Sequence, residues 1–247
     1  MRAKFSSEYL SVRYAYCNKT LAVLPLVTTG AHNGFPVVRV RRSTNNGHYK
    51  WEEHRLNTAK ANNAKKYEAF RQSLISEIEE LKRTQGFDPS LRLKIRSSKD
   101  LFMNGEYYKR LVGEQNTQQN NSMYYHKGIH VRSRAEMLVA EVLDELRLQY
   151  KYEPAVTIND VTFYPDFVVY IEAIDACFVI EVLGKTDNYE YMNNNVSKLV
   201  KYSVAGISIN DNLLLIPGTV SYMPDTDHIY NSIVNMVNLA AWDAILA

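Results

Sequence analysis

The chain has only two cysteines in 247 residues, Cys17 and Cys177, and neither sits in a paired Cys/His spacing. That argues against a disulfide framework and against a zinc site, and predicts two reduced, buried thiols. The six histidines (His32, His48, His54, His126, His130, His228) likewise show no ligand spacing. Long hydrophobic runs are missing too. The longest early apolar stretch, Leu21 to Val27, is interrupted by Pro25 and is too short to span a bilayer. The opening MRAKFSSEYLSVRY has no basic-then-apolar signal pattern, so a soluble, intracellular protein without a membrane partner is expected. No internal repeat is visible.

What is present is a globular composition. At 46% hydrophobic residues, 247 residues can build one large or two small cored domains. The net charge of +2 conceals an asymmetry. Residues 1–130 hold 22 Lys/Arg against 11 Asp/Glu, and residues 131–247 hold 7 against 16, so the halves carry +11 and −9. A basic segment joined to an acidic one suits a phosphate-gripping part beside a cation-binding part, although most single charges of this kind decorate solvated helix faces.

From Leu21 to Trp51, short β-rich runs (Leu21 to Thr28, Phe35 to Val40, His48 to Trp51) alternate with turn signals at Gly30, Asn33-Gly34 and Asn46-Gly47, predicting a small antiparallel meander. Tyr67, Phe70, Leu74, Ile78 and Leu81 then recur at steps of three and four, predicting a long helix over about 55–83 with Gly86 as its stop. Residues 113–130 are polar and Asn/Gln-rich and read as a linker between a basic region, 1–112, and a second domain, 131–247. In that domain the expected order is helix 133–148, strands 150–158, 161–171 and 176–183, helix 189–206, strand 212–216 and a C-terminal helix over about 227–246. The fold class is α/β, with a three-stranded sheet flanked by helices.

Two carboxylates interrupt apolar runs in this domain: Asp166 within Val161 to Ile171, and Glu181 within Ala176 to Leu183. A charge so placed is costly unless compensated. Strand alternation lets the two project from neighbouring strands to one side of the sheet, and a hard cation with oxygen ligands, Mg²⁺ with Mn²⁺ as substitute, explains their coexistence.

Glu136 on the preceding helix, Pro165-Asp166 on one strand, Glu181 on the next and Lys198 with Tyr202 on the following helix resemble the PD-(D/E)XK, restriction-endonuclease-like superfamily. RSRAE (132–136), YEP (152–154), YPDF (164–167) and EVLGK (181–185) look like a subgroup of small bacterial and phage proteins. The resemblance covers about residues 131–217. It implies a Mg²⁺-dependent endonuclease acting on DNA in the cytoplasm of a bacterial or phage-infected cell, alone, as a homodimer or with a partner protein. Asp166 and Glu181 are the implied metal ligands, with the Val182 carbonyl as a further one, and Glu136 holds a metal-bound water or a second ion. The family's lysine lies two residues after the acidic one, where this chain has Leu183. Lys185 and Lys198 are the candidates, and Lys198 is preferred. Tyr202, Asn195, Arg132 and Arg134 are the expected substrate contacts.

Tyr191, Asn195, Lys198 and Tyr202 form a polar stripe expected at the sheet's edge, beside a Met192, Val196, Leu199 and Ser203 stripe expected to pack on the sheet. Plainer readings exist residue by residue. Ser133 to Glu136 spells a capping box, Asp166 after Pro165 suits a turn, and Glu181 suits a structural ion pair. All three must hold together with the right order of elements, which makes their joint reading the weaker one. A nucleic-acid-binding protein that kept the fold but lost activity is an alternative, for which Leu183 in the lysine's place is the best argument, and a nuclease subunit of a transposon or phage DNA-processing complex is a third possibility.

Overall fold

A computed structural model of the chain describes residues 2–43, 48–91, 93–94, 103–118, 120–158, 160–209 and 211–245. They form two compact units, Leu10–Leu91 in one and Met1–Tyr9 with Arg92–Ala247 in the other. Helix α1 (Ser7–Val23), which no sequence periodicity announced, gives residues to both. Among the described residues no helix is long and apolar enough to cross a membrane.

In the Leu10–Leu91 unit, Asn33 and Gly34 take φ of 50° and 82°. That is the left-handed pair a two-residue type I′ hairpin demands, and it joins β1 (Leu26–His32) to β2 (Phe35–Ser43). Strand β3 (Tyr49–Arg55) completes the antiparallel meander β1-β2-β3. The expected Asn46-Gly47 turn lies outside the described residues. Helix α2 (Ala59–Arg83) starts where the Thr58 side chain accepts from Ala61 N, and Thr84 caps its end. Its inner face differs from the expected stripe: Tyr67 and Phe70 are exposed, and the buried positions are Ala61, Ala64, Leu74, Ile78 and Leu81. Small Ala61 and Ala64 pack under Val38 and Val40, while Leu74 and Ile78 bury Cys17.

The other unit contains α3 (Gly105–Arg110), the hairpin β4 (Tyr124–His126) and β5 (Ile129–Val131), and α4 (Arg134–Glu145). Then come β6 (Gln149–Tyr152), β7 (Val156–Ile158), β8 (Val161–Phe163), β9 (Phe167–Ile171), β10 (Ala176–Leu183), α5 (Tyr189–Val204), β11 (Leu213–Pro217) and α6 (Thr226–Ala244). Its four-stranded mixed sheet runs β11-β10-β9-β6, parallel between β10 and β11 and antiparallel elsewhere, with α5 as the crossover. Each of two expected long strands is cut in two. Glu153, at φ 41°, breaks the first, and Tyr164 to Asp166 break the second; the outer pieces pair as the β7-β8 hairpin.

The expected division into 1–112, a 113–130 linker and 131–247 also differs from what is seen. Met103, Tyr108 and Leu111 belong to a core shared with Val168, Val179 and Tyr202, and Tyr108 stacks on Tyr170. The expected linker carries β4 and β5, and its Glu114 and Gln115 N–H groups donate to the carbonyls of Tyr152 and Glu153. The polar side chains of this stretch serve turns and backbone bonds, so polarity alone misread it. Residues 2–6 lie along α6: Ala3 N donates to Asn231 at 2.6 Å, Ser6 N to Asn238 at 2.8 Å, and Arg2 pairs with Asp227 at 2.7 Å.

Candidate functional site

Alternation along β10 turns Cys177, Val179 and Glu181 to the face that packs on α3, α5 and the β7-β8 hairpin, and turns Phe178, Ile180 and Val182 to the opposite face. Val168 on β9 opposes Val179 and shares that first face. Two steps on, one beyond the last pair Ile180 and Phe167, the same register brings Asp166, just before β9, beside Glu181. The two carboxylates therefore stand side by side on one face, at the end of the strand pair. Asp166 Oδ2 accepts the Val182 N–H at 2.7 Å, which fixes its rotamer, and the Asp166 carbonyl accepts from Glu153 N at 3.0 Å, which fixes its backbone.

Helix α5 presents a different face from the one expected. Val196 and Ser203 are exposed, whereas Tyr202 is fully buried, its ring edge-on to Phe163 at 4.8 Å, and Leu199 and Ala205 join the same core. The polar stripe thus faces the sheet. Glu181 is the reason: it is 2% exposed, and its two oxygens accept the Lys198 ammonium at 2.6 Å and the Tyr202 hydroxyl. Tyr191, on the same stripe, accepts the Gly184 N–H at 3.2 Å, and Asn195 donates to the Tyr191 carbonyl at 2.8 Å within its own helix. Lys185 is exposed in the turn after β10, so of the two candidate lysines it is Lys198 that reaches the carboxylates.

Electrostatically the cluster is under tension. Burial first, and then the facing Glu181 charge, push the Asp166 carboxyl well above the usual carboxylate range. Burial also raises Glu181, against the lowering pull of Lys198. Lys198 loses hydration on burial, yet the Glu181 and Asp166 charges hold its ammonium above the ordinary lysine value.

Glu136 sits differently. Its carboxylate accepts from Arg132 N at 2.9 Å, Ser133 Oγ at 2.9 Å and the Tyr152 hydroxyl at 2.7 Å, while Ser133 Oγ accepts from Glu136 N. This is a capping-box arrangement closed by a tyrosine. Tyr152 pairs with Phe167, so it points to the face opposite Asp166 and Glu181, although the Glu136 charge still contributes to raising Asp166. Arg132, an expected substrate contact, is engaged with Glu153 at 2.6 Å and with the Gln118 carbonyl at 2.8 Å. Arg134 is exposed beside a recess of about 210 Å³ formed with Ala135, Val182, Gly184, Tyr222 and Pro224.

Sequence reasoning missed Glu153, a 5% exposed carboxylate that anchors Arg132 and, through its N–H, the Asp166 backbone. Its signal was a charge beside Pro154 at the end of an apolar strand. Among the described residues no group of three or more His, Cys, Asp or Glu side chains is arranged to hold a metal ion. The Asp166/Glu181 pair alone remains as the donor set. It fits a hard cation by its chemistry: two carboxylates face one ammonium, and Asp166 Oδ1 makes no hydrogen bond among the described residues. In comparisons with protein-family models, curated proteins and solved structures nothing matches this chain, so the site is read from its own residues.

Proposed function

We propose that this chain is a metal-dependent nuclease that hydrolyses phosphodiester bonds in DNA. The observation that carries this reading is the closeness of Asp166, just before β9, to Glu181 of β10, with the Lys198 ammonium 2.6 Å from Glu181. The order α4, β6, β9, β10, α5, β11 agrees with the restriction-endonuclease-like resemblance of the sequence. Asp166 and Glu181 hold the cation, and a bound divalent cation there polarises a phosphoryl oxygen and acidifies a water. Lys198 orients the attacking water, and Tyr202 keeps Glu181 and Lys198 in register. Water adds across the P–O3′ bond, leaving a 5′-phosphate and a 3′-hydroxyl.

Purified protein should nick or cut plasmid or single-stranded DNA with Mg²⁺ or Mn²⁺ and not with EDTA. Asp166→Asn and Glu181→Gln should each lower the rate by about a thousandfold or more while leaving DNA binding within a few-fold. Full cutting by either variant removes the site assignment.

A second reading, a nucleic-acid-binding protein without activity, draws on two observations: Lys198 and Tyr202 already occupy both oxygens of Glu181, and Glu136 is consumed by its capping box. DNA binding with no cleavage under either metal would select it.

A further inference from the structure

The meander of the Leu10–Leu91 unit has one face toward α2 and one toward solvent. Val38 and Val40 point to the helix. Strand alternation therefore sends Arg39 and Arg41 of β2, and Tyr49, Trp51 and Arg55 of β3, to the outer face. Tyr49 is 63% exposed and Trp51 46% exposed, large open areas for aromatic rings among the described residues. Arg41 stacks over the Tyr49 ring at 4.4 Å. Neither Arg41 nor Arg55 forms an ion pair among the described residues, and the one carboxylate of β3 on this face, Glu53, is already bound by Arg39 and His32. At the Tyr49 end the face opens into a cleft of about 580 Å³ lined by Arg41, Arg42, Tyr49, Tyr67 and the Ala22 to Leu26 segment.

This combination selects its occupant by charge and shape. Unpaired guanidinium groups call for phosphates, and exposed rings beside them call for unstacked bases, which a duplex keeps covered. Tyr49 and Trp51, two residues apart on one strand, stand about 7 Å apart, a spacing that successive splayed bases can meet. We propose that this face and its cleft bind single-stranded DNA, bases on Tyr49 and Trp51 and phosphates on Arg41 and Arg55. The proposal deepens the nuclease reading by naming the strandedness of the substrate and where the chain grips it.

The test uses the full chain carrying Trp242→Phe, so that Trp51 is the only tryptophan, in EDTA so that nothing is cut. Titration with a short oligothymidylate should quench Trp51 fluorescence, with duplex DNA of equal length binding at least about tenfold more weakly. Binding read by anisotropy of a labelled strand should fall at least about tenfold in Trp51→Ala and in Arg41→Ala, with unchanged circular dichroism. These side chains are surface groups, so the fold survives their loss. Unchanged affinity in both variants, or equal or tighter binding of duplex DNA or of an RNA oligomer, overturns the proposal. Because no metal is present, its failure leaves the cleavage assay at Asp166 and Glu181 standing, and a failed cleavage assay leaves this binding result standing.

Discussion

Asp166 faces Glu181 at the end of a single strand pair, with the Lys198 ammonium against Glu181. The raised Asp166 value has a definite sign in stability. Between the ordinary carboxylate range and the raised folded value the folded chain binds a proton that the unfolded chain has released, so stability falls as pH rises through that window. Below the ordinary range both states are protonated and the penalty vanishes. Asp166→Asn keeps an oxygen for the Val182 N–H and removes the charge. With chelator present it should melt several degrees above the parent at neutral pH, at about 2–4 °C per kcal/mol for a chain of this size, with the gap closing toward acid pH in thermal scans. A variant that melts lower throughout would show that the carboxylate is structurally needed.

Tyr202→Phe leaves the ring against Phe163 and orphans one buried oxygen of Glu181. It should cost about 1–3 kcal/mol by urea unfolding. Asp166 and Glu181 stood out in the sequence because a charge inside an apolar run needs a partner, whereas Lys198 was named through the superfamily resemblance and its place on a polar helix stripe. Glu153 was not, since its partner Arg132 lies 21 positions away and no periodicity links them.

Among elements, β10 was read to the residue because it is buried on both faces and appears as an unbroken apolar run. The strands before it were read too long, because the positive φ of Glu153 and the turn at Pro165 leave no mark on hydrophobicity. Helix α5 was placed correctly in the chain but turned the wrong way. A stripe holding lysine and tyrosine looks solvent-facing until the buried carboxylate it serves is known. Helix α3 shows how tightly short elements can be seated. Gly105 N donates to Asp175 Oδ1 at 2.9 Å, which also accepts the Tyr170 hydroxyl, and a Cβ on Gly105 would fall on both groups. Gly105→Ala should therefore cost about 1–3 kcal/mol and change the near-ultraviolet circular dichroism of the Tyr108-Tyr170 stack. An unchanged melting temperature would mean that α3 docks by other contacts.

At the scale of the whole molecule the small net charge of +2 is a poor guide, because its two signs are segregated along the chain. Binding of single-stranded DNA should weaken steeply with salt, and Arg41→Ala should reduce the slope of log affinity against log salt by about 0.7, the share of one phosphate contact on a single strand. An unaltered slope would remove Arg41 from the phosphate contacts.

The unit bearing Asp166 and Glu181 draws on residues 2–9 as well as on everything after residue 91, and its last helix is gripped by Ala3 and Ser6. The basic unit is one uninterrupted stretch, Leu10–Leu91. A chain leaving the ribosome can thus complete the Leu10–Leu91 unit before the strands that carry Asp166 and Glu181 have been made. The other unit must wait for α6, which then has to recapture the first residues made.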